Sequence, residues 1–146
     1  MANPKPTILF VHGSWHTPAR FAHMVSLFSE AGFPTSCPRQ PSVGHVPPLF
    51  LSADVECIQD EPVRLIEDHG KAIIAVPHSY GGVITTQAIE ELFAKRSYEF
   101  DGKRGGVVGI LYMCVFLLEA GQSLAGAFGG SLPPYVVVDV SHSPFA

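Results

Sequence analysis

Apolar residues in this chain come in two kinds of run, and their alternation predicts the architecture. Thr7-Ile8-Leu9-Phe10-Val11 is continuous rather than alternating, as in a strand buried on both faces of a parallel sheet. It stops at His12-Gly13. Thr17 then reads as an N-cap with Pro18 at N1, and Phe21, Val25, Phe28 and Ala31 recur at helical spacing until Gly32 closes the segment. Phe33 to Cys37 reads as a short strand, and Pro38 to Pro48, with four prolines and a glycine, as a loop crossing the surface. Ser52 with Asp54 opens a second helix. Its Val55, Ile58, Pro62, Leu65 and Ile66 share one face, with a kink expected at Pro62 and an end at Gly70.

The second half repeats the alternation. Ala72 to Val76 is another buried strand, Val83 to Lys95 a third helix with Ile84, Ala88 and Leu92 inward, and Val107 to Val115 a third apolar strand. Strands and helices in this order imply right-handed crossovers and a mostly parallel sheet flanked by helices, hence an α/β fold. Beyond Glu119 the pattern thins into Gly- and Pro-containing sequence with one β-like run, Tyr135 to Val138. The final SHSPFA reads as an unstructured tail.

Composition narrows the class. A chain of 146 residues, 47% hydrophobic and 15% charged, holds one domain's worth of core. A net charge of −4 without clustered Lys and Arg argues against nucleic acid as a partner. Cys37, Cys57 and Cys114 have neither metal-ligand nor redox spacing and suit a reducing compartment. The N-terminal MANPKPTILFVHG lacks the h-region of a secretory signal, and Val107 to Leu118, the longest apolar stretch, falls short of the ~20 residues of a membrane span. A cytoplasmic location is expected, with no membrane association.

The candidate chemistry lies in AVPHSYGGVITTQ, where an apolar strand runs through Pro77-His78-Ser79-Tyr80-Gly81-Gly82 directly into helix-like sequence. Sharp strand-to-helix turns carry a serine where its hydroxyl must project above the sheet, and small residues flank it because the backbone is crowded there. Gly81 stands two residues after Ser79; Pro77 replaces the glycine usual two residues before it. The first strand leads into HGSWHTP rather than GxGxxG, which disfavours a dinucleotide site. His78, next to Ser79 in sequence, is expected to point elsewhere, and His16, His23, His45 and His69 lie on loop or helix faces.

PHSYGG at the turn, FVHGSWHTPARF after the first strand and GILYMCVFLLEAGQSL after the third together resemble the α/β-hydrolase superfamily, most nearly its small esterases and hydroxynitrile lyases. The resemblance runs to about Leu132. It implies Ser79 as nucleophile, the backbone N–H groups of Ser14 and Tyr80 as oxyanion donors, and Trp15 lining the same mouth. It implies a small, fairly apolar ester as substrate and neither cofactor nor metal.

A serine nucleophile needs a histidine base and an acid to orient it, and in this superfamily both follow the serine in the order acid, histidine. Asp139 and His142 follow in that order, three residues apart at the tail, whereas the superfamily takes the two from loops after separate strands. The expectation is therefore a single, incomplete domain over residues 1–146 that lacks the last strands and most of the cap. Its exposed sheet edge invites self-association. The alternatives are a non-catalytic remnant that binds a ligand or partner in the open cleft, and a lyase that reuses the same turn.

Overall fold

The computed structural model describes residues 4–45, 49–89 and 93–137. In chain order the elements are β1 (Thr7–Val11), a 3-10 turn (Pro18–Phe21) leading into α1 (Ala22–Glu30), β2 (Thr35–Ser36), α2 (Leu51–Val63), β3 (Ala72–Ser79), α3 (Gly81–Ala88), α4 (Lys95–Phe100), β4 (Gly106–Ile110), β5 (Met113–Val115) and α5 (Leu124–Ala127). The sheet runs in the order β2-β1-β3-β4, with β5 also on β3. Every pairing is parallel, and β1 and β3 are in register from Thr7↔Ile73 to Val11↔Pro77.

All five residues of β1 are buried, because helices cover both faces of the sheet. Leu9 and Val11 pack with Ile58, Ile66, Ile84 and Ala88 on the face covered by α2 and α3. Ile8 and Phe10 turn the other way, toward Phe21, Met24, Val25 and Phe28 of the first helical segment. On that side the Phe10 ring lies 5.5 Å from Phe21 and 5.6 Å from Phe28, within the range of favourable tilted and edge-on contacts. The first helix ends as its sequence predicts. Gly32, at φ +79°, donates to the Ser29 carbonyl while Phe33 donates back to Phe28.

Several elements differ from their sequence pattern. The strand expected over Phe33 to Cys37 pairs only at Thr35 and Ser36. The second helix starts at Leu51 after an extended Phe50, not at a Ser52 cap. Pro62 has no N–H for the carbonyl one turn back, and the chain widens after Val63 into a π-type turn, Arg64–Asp68. The third helix stops at Ala88, with Ile89 extended, and α4 begins at Lys95; Leu92 lies outside the described residues. Tyr135 sits in a turn, where the Val136 N–H donates to Pro133, and the rest of the tail from residue 138 is likewise outside.

The apolar run 107–115 is two strands, β4 and β5, parted at Leu111–Tyr112. Pro77 explains the break. Leu111 donates to the Ala75 carbonyl at 2.8 Å and Phe116 to the Ser79 carbonyl at 3.3 Å, so Ala75, Pro77 and Ser79 turn their polar groups to that side of β3. Pro77 has no N–H to offer there, and the ladder is interrupted opposite it. The outer edge of β4 is bridged at Val107 by Ala94, while Val108 is exposed.

At the C-terminal end of β1 the fold is fastened by a buried polar lock. His12 and Gln40 are fully buried. Nε2 of His12 accepts the Gln40 backbone N–H at 3.2 Å, which leaves the ring proton on Nδ1, 3.1 Å from the Gly13 carbonyl; the Gln40 side-chain amide donates to the His12 carbonyl at 2.5 Å. Burial lowers the His12 pKa, so the neutral ring is the folded form.

Two outcomes follow for stability. Ile58→Ala, at a fully buried position between the helices and the sheet, should lose about 2–5 kcal/mol in denaturant unfolding, whereas Glu99→Ala, in an exposed pair with Lys95, should change it by less than about 0.5 kcal/mol. Below the ordinary histidine value of 6.5 the unfolded chain takes up a proton that folded His12 refuses, so stability is complete above that pH and declines as pH falls through it. His78, lowered by burial and by neighbouring His16, acts with the same sign. Denaturation midpoints measured from pH 7.5 to 5 should fall, and His12→Asn should flatten that slope.

Candidate functional site

Ser79 is the last residue of β3 and is half-buried, with φ +54°, a left-handed backbone that a serine adopts only under constraint. Tyr80 follows with helical angles and caps α3. Trp15 at φ +59° and Cys114 at φ +48° are the other described non-glycine residues with positive φ. All three lie near the same edge of the sheet, in the loop after β1, at the end of β3 and in its neighbour β5. Backbone strain of this kind costs on the order of 1–3 kcal/mol per residue and collects at functional sites.

Glycines make the crowding possible. A Cβ on Gly81 would fall 2.4 Å from the Val11 carbonyl oxygen, and one on Gly82 would fall 2.5 Å from the Val115 Cβ, so α3 starts wedged between the ends of β1 and β5. A Cβ on Gly13 would sit 2.9 Å from the Ser79 Cβ. The loop carrying Ser14 therefore lies directly on the turn carrying Ser79.

The structure brings Ser14, Trp15 and Tyr80 into one cleft of about 290 Å³, completed by Ser42, Val43 and Gly44. Trp15 is 73% exposed at its mouth. Among the described residues neither the Ser14 nor the Tyr80 N–H has a backbone or side-chain acceptor, and the Tyr80 N–H stands at the positive end of α3. A larger cleft of about 500 Å³, lined by residues such as Glu67, His69, Lys103 and Arg104, opens near the start of β3. Ligands of open α/β sheets bind beyond the carboxyl ends of the strands, which favours the smaller cleft.

No described histidine hydrogen-bonds Ser79, whose hydroxyl has no side-chain partner among the described residues. His78 stacks on His16, ring centroids 5.6 Å apart, and meets Phe21 edge-on, so it faces the α1 side of the sheet. Asp139 and His142 lie outside the described residues. Among the described residues no group of three or more His, Cys, Asp or Glu could hold a metal ion. Nor is any described helix long and apolar enough to cross a membrane.

The sequence pattern did not reveal His12, Gln40, Ser42 or Asp54 as supports of the site. Asp54 read only as an acidic residue in a first helical turn, yet it is fully buried and accepts from the Ser42 N–H at 2.9 Å and the Ser42 hydroxyl at 2.6 Å. The Tyr80 hydroxyl lies 3.4 Å from the same carboxylate, and burial, followed by the charge of Asp54, pushes its pKa up to about 12. The phenol thus stays a donor at any physiological pH. A charged residue inside the apolar stripe Val55, Ile58, Pro62 is the one signal that pointed to a buried carboxylate.

Known proteins resemble the chain in sequence and in fold. The chain is 29% identical over 133 residues to the α/β hydrolase nvfD of Aspergillus novofumigatus, covering 90% of this chain and 52% of that protein. It is 31% identical over 129 residues to a probable hydrolase of a Phoma species, covering 86% and 49%. The chain thus spans about half the length of the curated relatives it matches. Among solved structures, an extracellular α/β-hydrolase from a Paenibacillus species superposes with a TM-score of 0.62 at 18% identity, over 83% of this chain and 45% of that one. The mature Bacillus licheniformis lipase BlEst2 gives 0.54 at 17%, over 78% and 42%. These two likenesses show the fold. The alpha/beta hydrolase family matches residues 8–145, and with the parallel sheet and the strand-to-helix turn at Ser79 the chain is a member of that family.

Proposed function

We propose that this chain carries the nucleophile and the oxyanion site of a serine-dependent hydrolase acting on the carboxylic ester of a small, apolar molecule. The observation that carries the reading is Ser79 in a left-handed conformation at the end of β3, beside the N–H groups of Ser14 and Tyr80, which have no acceptor among the described residues. In that chemistry the Ser79 hydroxyl adds to the ester carbonyl, giving its proton to a base. The carbonyl oxygen becomes an oxyanion, for which N–H donors fixed about 3 Å away provide stabilisation without reorganising. Collapse expels the alcohol, which takes the proton back from the base; water then cleaves the acyl-serine by the same steps. Trp15, Val43 and Tyr80 supply apolar surface in the cleft, which suits a small hydrophobic substrate. The similarity to proteins named hydrolase and lipase agrees with the reaction class. Free cysteines at positions 37, 57 and 114 fit a reducing, cytoplasmic setting.

Among the described residues no histidine is hydrogen-bonded to Ser79, so catalysis by this chain should be the fraction that oxyanion stabilisation and binding supply. In serine hydrolases lacking a triad member this is about 10³–10⁴ over water. Hydrolysis of p-nitrophenyl acetate should fall within that limit and persist in His142→Ala, while fluorophosphonate labelling should disappear in Ser79→Ala. Fluorophosphonate labelling indifferent to Ser79→Ala would overturn the assignment. Enzyme-like turnover abolished by His142→Ala would make His142 the base.

A further inference from the structure

We propose that Asp54 is a positioning residue that sets the width of the substrate cleft, clamping the loop 42–44 and the Tyr80 side chain onto one buried carboxylate; the identity of the cleft as the substrate's rests on the hydrolase reading above. Asp54 is fully buried on the first turn of α2. A carboxylate in that position is tolerated only where donors replace its water. The donors here are the Ser42 N–H, the Ser42 hydroxyl and the Tyr80 hydroxyl, all of them from residues that line the cleft. One anion thus fastens two walls. Ser42 belongs to the loop wall, and Tyr80 carries one of the two proposed oxyanion donors.

The remaining ties on the loop are weaker or distant from the cleft. Arg39 donates to the Val43 carbonyl at 3.0 Å from an exposed position, and Val43 donates to Gln40 at 3.2 Å. The His12–Gln40 lock fixes the loop's start but not its wall at Val43 and Gly44. Removing the carboxylate frees that wall to move away from Trp15 and Tyr80. A short ligand then loses contacts that a longer one can recover, so Asp54 is expected to govern size selectivity rather than reactivity.

Trp15, the single tryptophan of the chain, reports on the cleft it lines. Its fluorescence can be titrated with 2-pentanone and 2-nonanone, unreactive ketone isosteres of a short and a long ester. The short ketone should bind Asp54→Ala at least about tenfold more weakly than the parent chain, as expected for losing hydrogen bonds to a charged group. The long ketone should lose less, changing the ratio of the two affinities. Asp54→Asn should restore both to within about threefold, because the amide can accept the Ser42 N–H and the two hydroxyls can rotate to accept from it. Ser42→Ala and Tyr80→Phe, which delete one hydroxyl each, should shift the ratio in the same direction by about two- to tenfold, and their melting curves separate this from unfolding.

Unchanged affinities in a folded Asp54→Ala, or equal losses for both ketones that follow the melting temperature, would overturn the proposal. Should Asp54→Ala not fold, an unchanged ratio in the Ser42→Ala/Tyr80→Phe double variant would do so. No response of Trp15 to either ketone in the parent chain would also overturn it. Ketone binding does not require Ser79 to react. Failure of the esterase assay with normal ketone selectivity therefore refutes the hydrolase reading alone.

Discussion

The close approach of backbone to backbone where β1, β3 and α3 meet is the constraint on which the site depends. Gly81 lies so near the Val11 carbonyl that any side chain there would collide with main chain, and a Cβ on Gly13 would fall 2.9 Å from the Ser79 Cβ. This contact lets α3 begin immediately after β3. It obliges Ser79 to turn through φ +54° and places the loop after β1 over the same point. The strain is held because both strands are anchored in cores on opposite faces of the sheet, Leu9 and Val11 on one side and Ile8 and Phe10 on the other. A flexible turn could not keep that geometry.

Around this contact, burial of polar groups does the work of positioning. His12 and Gln40 exchange hydrogen bonds below the loop, while Asp54 holds Ser42 and approaches Tyr80 from the side. Buried polar groups are expensive unless paired, and paired ones tolerate few alternative arrangements. The Oε1 of Gln40, the Nδ1 of His78 and the Oγ1 of Thr85 are exceptions, buried without a partner among the described residues. The first two lie next to the working edge of the sheet. The apolar cores thus give the domain its stability, and the polar contacts fix where the loops at that edge stand.

Pro77 links the sheet to the site in a further way. A proline in a central strand withholds one N–H, and the neighbouring strand divides at Leu111–Tyr112 where that donor is missing. The second piece, β5, then pairs with His78 and Ser79, brings Val115 against Gly82 and takes the left-handed turn at Cys114. The residue that departs from the usual glycine-flanked serine pattern therefore shapes the strand flanking the turn.

The sequence by itself determined the parts whose physics is local. The continuous apolar runs at 7–11 and 72–76 mark doubly covered strands, Gly32 marks a helix end, and PHSYGG marks the turn at Ser79, because burial period and glycine freedom are written in neighbouring residues. Tertiary structure decided the rest. The limits of the strands after residue 105 depended on partners distant in sequence, Ala94 beside Val107 and Pro77 beside the gap at Leu111. Asp54 carries no local sign that its carboxylate meets Ser42, twelve residues earlier, and Tyr80, twenty-six later. A hydrogen bond between distant segments exists only once the sheet has brought them together, so the turn could be read from the chain while its supports could not.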